Sequence, residues 1–245
     1  MQIKKIMNSK TLYIVLISIV VLELIGAGFS IAFAIDSTQR DAALSNMFLS
    51  VLALILFSLP FLIESRFKID IPSYLKIVVL LFLFSAIVLG NIHGFLENVN
   101  GYDKFLHIVS GVTISVIGFE IVSYVSQVKS SSISFSPGLI AVFAFTFSMT
   151  LLVLWEFYEF FVDTLAYNIN VDTARNMQRY QWDYTGTNFP QGYGLIDTML
   201  DLLVGFLGAA IVSFIGWRML LKNNHKILIK DQSEVLSDDL WCLFN

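Results

Sequence analysis

Cysteine is almost missing from this chain: Cys242 stands alone near the end of 245 residues. That excludes an intramolecular disulfide framework and any metal motif built on thiolates. A metal, if the protein uses one, must be hard and held by oxygen or imidazole. Charge is scarce as well, at 14% of residues, against about 25% in soluble domains. A soluble globular chain is therefore excluded. Hydrophobic residues reach 56% and mean hydropathy is +0.75, the balance of an integral membrane protein. The net charge of −4 says little about partners, because charge in such a protein is sorted by side of the membrane. Nothing points to nucleic acid.

What is present is a series of long apolar runs. Six reach the length needed to cross roughly 30 Å of hydrocarbon, at about 11–34, 43–63, 75–93, 104–126, 138–162 and 194–217. The first, after Lys4, Lys5 and Lys10 and ending in Ala32-Phe33-Ala34, imitates a secretory signal. It is longer than the usual 7–15 apolar residues of such a signal, so a retained span is expected. With the N-terminus inside, Lys4, Lys5, Lys10, Arg66, Lys68, Lys76, Lys129, Arg218, Lys222, Lys226 and Lys230 all fall on the cytoplasmic side. Only Arg40, Lys104, Arg175 and Arg179 fall outside. The expectation is an all-α polytopic bundle of the cytoplasmic membrane with both termini inside. It forms a single domain over 1–217, with an extracellular loop at 164–193 and a cytoplasmic tail at 218–245.

Several acids lie where a membrane protein should have few. At the end of the fifth run, Glu156, Glu159 and Asp163 recur at steps of three and four, which places them on one stripe of a helix. Asp197 and Asp201 stand one turn apart at the head of the sixth run, and Asp103 and His107 at the head of the fourth. All of these fall at the predicted outer face. An Asp at a helix centre costs about 2.5–3.5 kcal/mol on the translocon scale, so such acids need partners, water or an ion. Asp103 is also well placed as a helix N-cap. His107 lies a turn inside its run, on a stripe with Ser110, Gly111, Ile114 and Gly118 suited to close helix packing. Gly205 and Gly208 mark a similar face beside Asp201. Trp155, Phe157, Tyr158, Phe160 and Phe161 read as an interfacial belt.

Five further features are less specific. Gly90-Asn91-Ile92-His93-Gly94 suggests a helix stop that lets His93 face the site. Glu23, midway along the first run, is a candidate proton or ion relay. Glu120 falls on nearly the opposite face of its helix from His107, and Glu64-Ser65-Arg66-Phe67-Lys68 reads as a snorkelling anchor. The 164–193 segment, with Arg175, Arg179 and several aromatics, reads as a lid.

The pattern Asp103-x-x-x-His107, Trp155-Glu156-x-x-Glu159 and Asp197-Thr198-x-x-Asp201 followed by glycines resembles the YjdF-like group of bacterial integral membrane proteins. More distantly it resembles the VanZ-like family, whose Asp-Lys-x-x-His segment is matched by Asp103-Lys104-Phe105-Leu106-His107. The resemblance covers roughly 75–217. It implies a compact polytopic bundle with an envelope association and supplies no reaction.

So many acids in one place need countercharge, which a divalent ion supplies. The expected ligands are Asp103, His107, Glu156, Asp197 and Asp201, and the candidate ions are Mg, Mn, Ca or Zn. The leading function is then a metal-dependent hydrolase acting on an envelope or lipid-linked substrate. Glu159 would serve as general base, His107 as a ligand at the reacting centre, and Arg175 or Arg179 would hold an anionic group. The alternatives are a non-catalytic membrane protein with a structural ion site and a cation- or proton-coupled transporter.

Overall fold

The structure is a computed structural model that describes residues 8–128, 135–168, 177 and 193–222. It is all-α, and six of its helices are long and apolar enough to cross a membrane. In chain order they are α1 (Ser9–Ala32), α2 (Ser37–Phe67), α3 (Ser73–Leu83, continuing as a π-helix over Phe84–Ile92), the single turn α4 (Phe95–Asn98), α5 (Tyr102–Val128), α6 (Pro137–Asn168) and α7 (Tyr193–Lys222).

Polar side chains set the helix starts. The Asn8 side chain accepts from the Lys10 amide at 3.1 Å, Asp36 from Gln39 at 2.8 Å, and Ser136 from Leu139 at 3.3 Å. Each satisfies an amide that the first turn leaves open. Gly94 and Gly101, with φ of 70° and 80°, make the left-handed bends that deliver the chain into α4 and then α5. Because α5 already starts at Tyr102, Asp103 lies inside its first turn and is not the N-cap expected from sequence.

The chain divides into two compact units, 1–106 and 107–245, with the boundary inside α5. The first has its core where Leu12, Leu16 and Val20, spaced by four along α1, meet Ala53, Phe57, Leu80, Ile87 and Val88. Its polar contacts are specific. Tyr13 Oη lies 2.9 Å from Ser58 Oγ. Lys76 Nζ donates to Glu64 Oε1 at 2.7 Å and stands over the Phe61 ring. Glu64 is thus an ion-pair partner on α2, while Arg66 and Lys68 of the same segment are exposed.

The π-helical stretch decides where His93 goes. Its backbone amide bonds to Val88 O at 2.9 Å, five residues back, and the Asn91 side chain donates to Ala86 O at 2.9 Å. The wider turn rotates the end of the helix. His93 Nε2 then lies 3.1 Å from Glu23 Oε1. The histidine expected to face the acidic cluster therefore takes its partner from α1.

In the second unit, α5 and α7 meet along glycine. A side chain at Gly111 would run into the carbonyl oxygen of Gly205, and one at Gly208 into that of Ile108. Helix α6 joins them through Ser148, whose hydroxyl donates to Gly111 O at 3.1 Å. Backbones this close leave no room for lipid between the helices. Gly111 is one turn beyond His107 and Gly205 one turn beyond Asp201, so the contact brings those two side chains face to face.

Candidate metal centre

Toward its C-terminal end, α6 is polar on its covered face and apolar on its open one. Glu156, Glu159 and Asp163 are buried, while Trp155, Phe157, Tyr158, Phe160 and Phe161 around them are exposed. A helix in hydrocarbon is expected to present that inversion, since it shields the carboxylates from lipid. One of the exposed aromatics also serves the acids: Trp155 Nε1 donates to Glu159 Oε1 at 2.7 Å.

His107 stands between two carboxylates. Its Nδ1 is 3.8 Å from Glu156 Oε1, and its Nε2 is 3.7 Å from Asp201 Oδ1. The three residues are 6%, 3% and 1% exposed, in the order His107, Glu156, Asp201. Both gaps exceed the reach of a direct N–H···O hydrogen bond. The gap to Asp201 matches the spacing of two ligands that share one cation at about 2.1 Å each with a wide angle between them.

Asp103 is one turn earlier than His107 on the same unbroken α5. Asp103, His107 and Asp201 each offer a ligand atom, and those atoms lie within 4.8 Å of one another. No two of these atoms are therefore further apart than ligands on opposite sides of a cation bonded at about 2.4 Å, a distance in the calcium range. Lys104 Nζ lies 3.2 Å from Asp103 Oδ2 and supplies part of the local countercharge.

One family, described as "Predicted membrane protein (DUF2238)", matches residues 12–222. The chain belongs to the DUF2238 family. That span takes in every described helix almost end to end, the acid-bearing turns included. The description supports the membrane-protein part of the resemblance seen in sequence. It does not establish the YjdF-like name, and the VanZ-like likeness finds no support in it. No curated protein and no solved structure matches the chain.

The other expected site residues of this DUF2238 member are distributed as follows. Asp197 is buried one turn before Asp201 on α7, and Glu159 is buried one turn beyond Glu156 on α6. Asp163, a turn further, accepts the Met177 backbone amide at 2.9 Å. Arg175 and Arg179 lie outside the described residues. Sequence periodicity placed Glu156 among the acids. It carried no signal for which edge of the imidazole this carboxylate would face, because that depends on how α6 is rotated against α5.

Proposed function

We propose that this polytopic membrane protein binds one divalent cation through Asp103, Asp201 and His107 Nε2, and that it is a metal-dependent hydrolase acting on an envelope or lipid-linked substrate. The observation that carries this reading is the His107 ring held between two buried carboxylates. One imidazole can give only one nitrogen to an ion. If Nε2 faces the ion with Asp201, then Nδ1 carries the proton toward Glu156, which fixes the tautomer and the ring plane. Glu156 is then an orienting partner and not a ligand. Asp197, a turn away along α7, supports the same charge.

Two carboxylates and a neutral imidazole balance a divalent charge. Three protein ligands also leave coordination positions open for water and substrate, as in catalytic rather than closed structural sites. A bound cation would supply Lewis acidity and lower the pKa of water. Glu159, held by the Trp155 indole, would serve as the general base. Arg175 and Arg179 have the charge to hold an anionic substrate group.

The test is metal content. Full-length protein purified in detergent, dialysed against Mn or Zn and analysed by mass spectrometry, is expected to retain about one equivalent, while Asp201→Asn retains less than a tenth of that. Near-zero metal in both proteins would remove the proposal.

We further infer from the cation distribution that the protein sits in the cytoplasmic membrane with both termini inside and the His107 end of α5 outside. With Cys242 replaced by serine, an impermeant maleimide applied to intact cells should label Arg175→Cys and leave Lys226→Cys untouched. Labelling of position 226 alone would reverse the orientation and put the metal centre on the cytoplasmic side.

A further inference from the structure

Away from the metal centre, at the end of the second unit where α6 begins and α7 finishes, an open groove of about 380 Å³ runs between the two helices. Its volume falls in the range of small-ligand sites, roughly 300–1,000 Å³. Phe145 and Phe206, edge to face at 5.3 Å, line one part of it, and Phe214 and Trp217, at 5.8 Å, another. We infer that this groove holds one acyl chain of an anionic phospholipid, with the lipid phosphate held by Arg218 and Lys222.

Two observations bear on that occupant. First, the groove is apolar and lies along two helices that cross the membrane, so hydrocarbon is the solvent that meets it. Secondly, the row that lines it on α7, Phe206 and Phe214 among others, continues in steps of four to Arg218 and then Lys222, both exposed. Residues four apart lie near one another on a helix surface, so Arg218 and then Lys222 follow Phe214 toward the end of the groove. The opening turn of α6 is at the same end and adds the positive pole of its dipole. Basic positions at the end of an intramembrane groove are the recognition chemistry of anionic lipid headgroups.

A plain hydrocarbon, or an apolar helix from another protein, would leave the two cations unanswered.

Trp217 lies in the groove and reports on it directly. In the full chain with Trp155, Trp182 and Trp241 replaced by phenylalanine, reconstituted in phosphatidylcholine nanodiscs, brominated phosphatidylglycerol is expected to quench Trp217 more strongly than brominated phosphatidylcholine at equal mole fraction. The preference should be on the order of fivefold in apparent affinity per cation. It should fall to about one in Arg218→Gln/Lys222→Gln, and Ala210→Leu, which fills the groove, should weaken quenching by both lipids. Equal quenching by the two lipids in the parent would mean only ordinary annular contact, and no quenching by either would mean that protein covers the groove. Each result overturns the proposal. A second readout uses the unaltered tryptophans: native mass spectrometry should find phosphatidylglycerol retained on the wild-type chain and lost from the Arg218→Gln/Lys222→Gln variant. Equal retention on both also overturns it.

Discussion

Replacing Gly111 with leucine is expected to be among the most damaging single changes in this protein. The added side chain would meet the Gly205 carbonyl oxygen and the Ala209 amide, which are backbone and cannot rotate away. Overpacking a core usually costs about 1–3 kcal/mol and occasionally more. Because two helix backbones must separate here, the expected loss is about 3 kcal/mol or greater, a fall of roughly 6–12 °C in the melting temperature for a chain of this size. Separating α5 from α7 also moves His107 from Asp201, so metal retention should be lost with stability. Gly26→Leu is the control, since nothing lies within 4 Å of a Cβ built there. Thermal unfolding of the two variants in the same detergent decides the matter: equal melting temperatures would mean that α5 and α7 are not held at this contact.

Glu156→Gln is expected to weaken metal binding without abolishing it. Loss of a second-shell carboxylate typically costs 10–100-fold in affinity. The amide can still accept a proton from His107 Nδ1 but no longer offsets charge, so a value near tenfold is expected for Gln and a larger one for Ala. Competition titration against a metal-sensitive dye gives the comparison. Asp201→Asn should lose far more, because it removes a ligand oxygen with its charge. If Glu156→Gln abolished binding as completely as Asp201→Asn, Glu156 would be a direct ligand and the ring would face the ion through Nδ1. If neither variant altered affinity, the cluster would be a set of buried acids without a metal role.

Much of this arrangement can be read from residue order. Long apolar runs in a chain with so little charge permit only membrane-spanning helices, because every backbone polar group must be satisfied within its own segment. The three-and-four spacing of Glu156, Glu159 and Asp163 places them on one face whatever surrounds the helix. Glycines beside His107 and Asp201 mark faces on which helices can approach closely. These are local properties, set by the helical period and by the cost of polar groups in hydrocarbon, and they need no knowledge of neighbours.

Other features depend on which helix lies against which. Glu64 looks like a surface charge until α3 brings Lys76 to 2.7 Å. His93 stands beside a glycine-rich helix end and was expected at the acidic cluster, but the π-helical turn over Phe84–Ile92 directs it to Glu23 on α1. A π-helix leaves no mark in hydrophobic periodicity, because it is a change of hydrogen-bond register and not of composition. The groove at Trp217 is likewise invisible in sequence, since its walls come from two helices. Residue order alone determined a helical membrane protein with buried acids and one inward histidine. Only the packing of α5, α6 and α7 decided that Glu156 faces one edge of the His107 ring and Asp201 the other, because the rotation of one helix against another is set by contacts far apart in the chain.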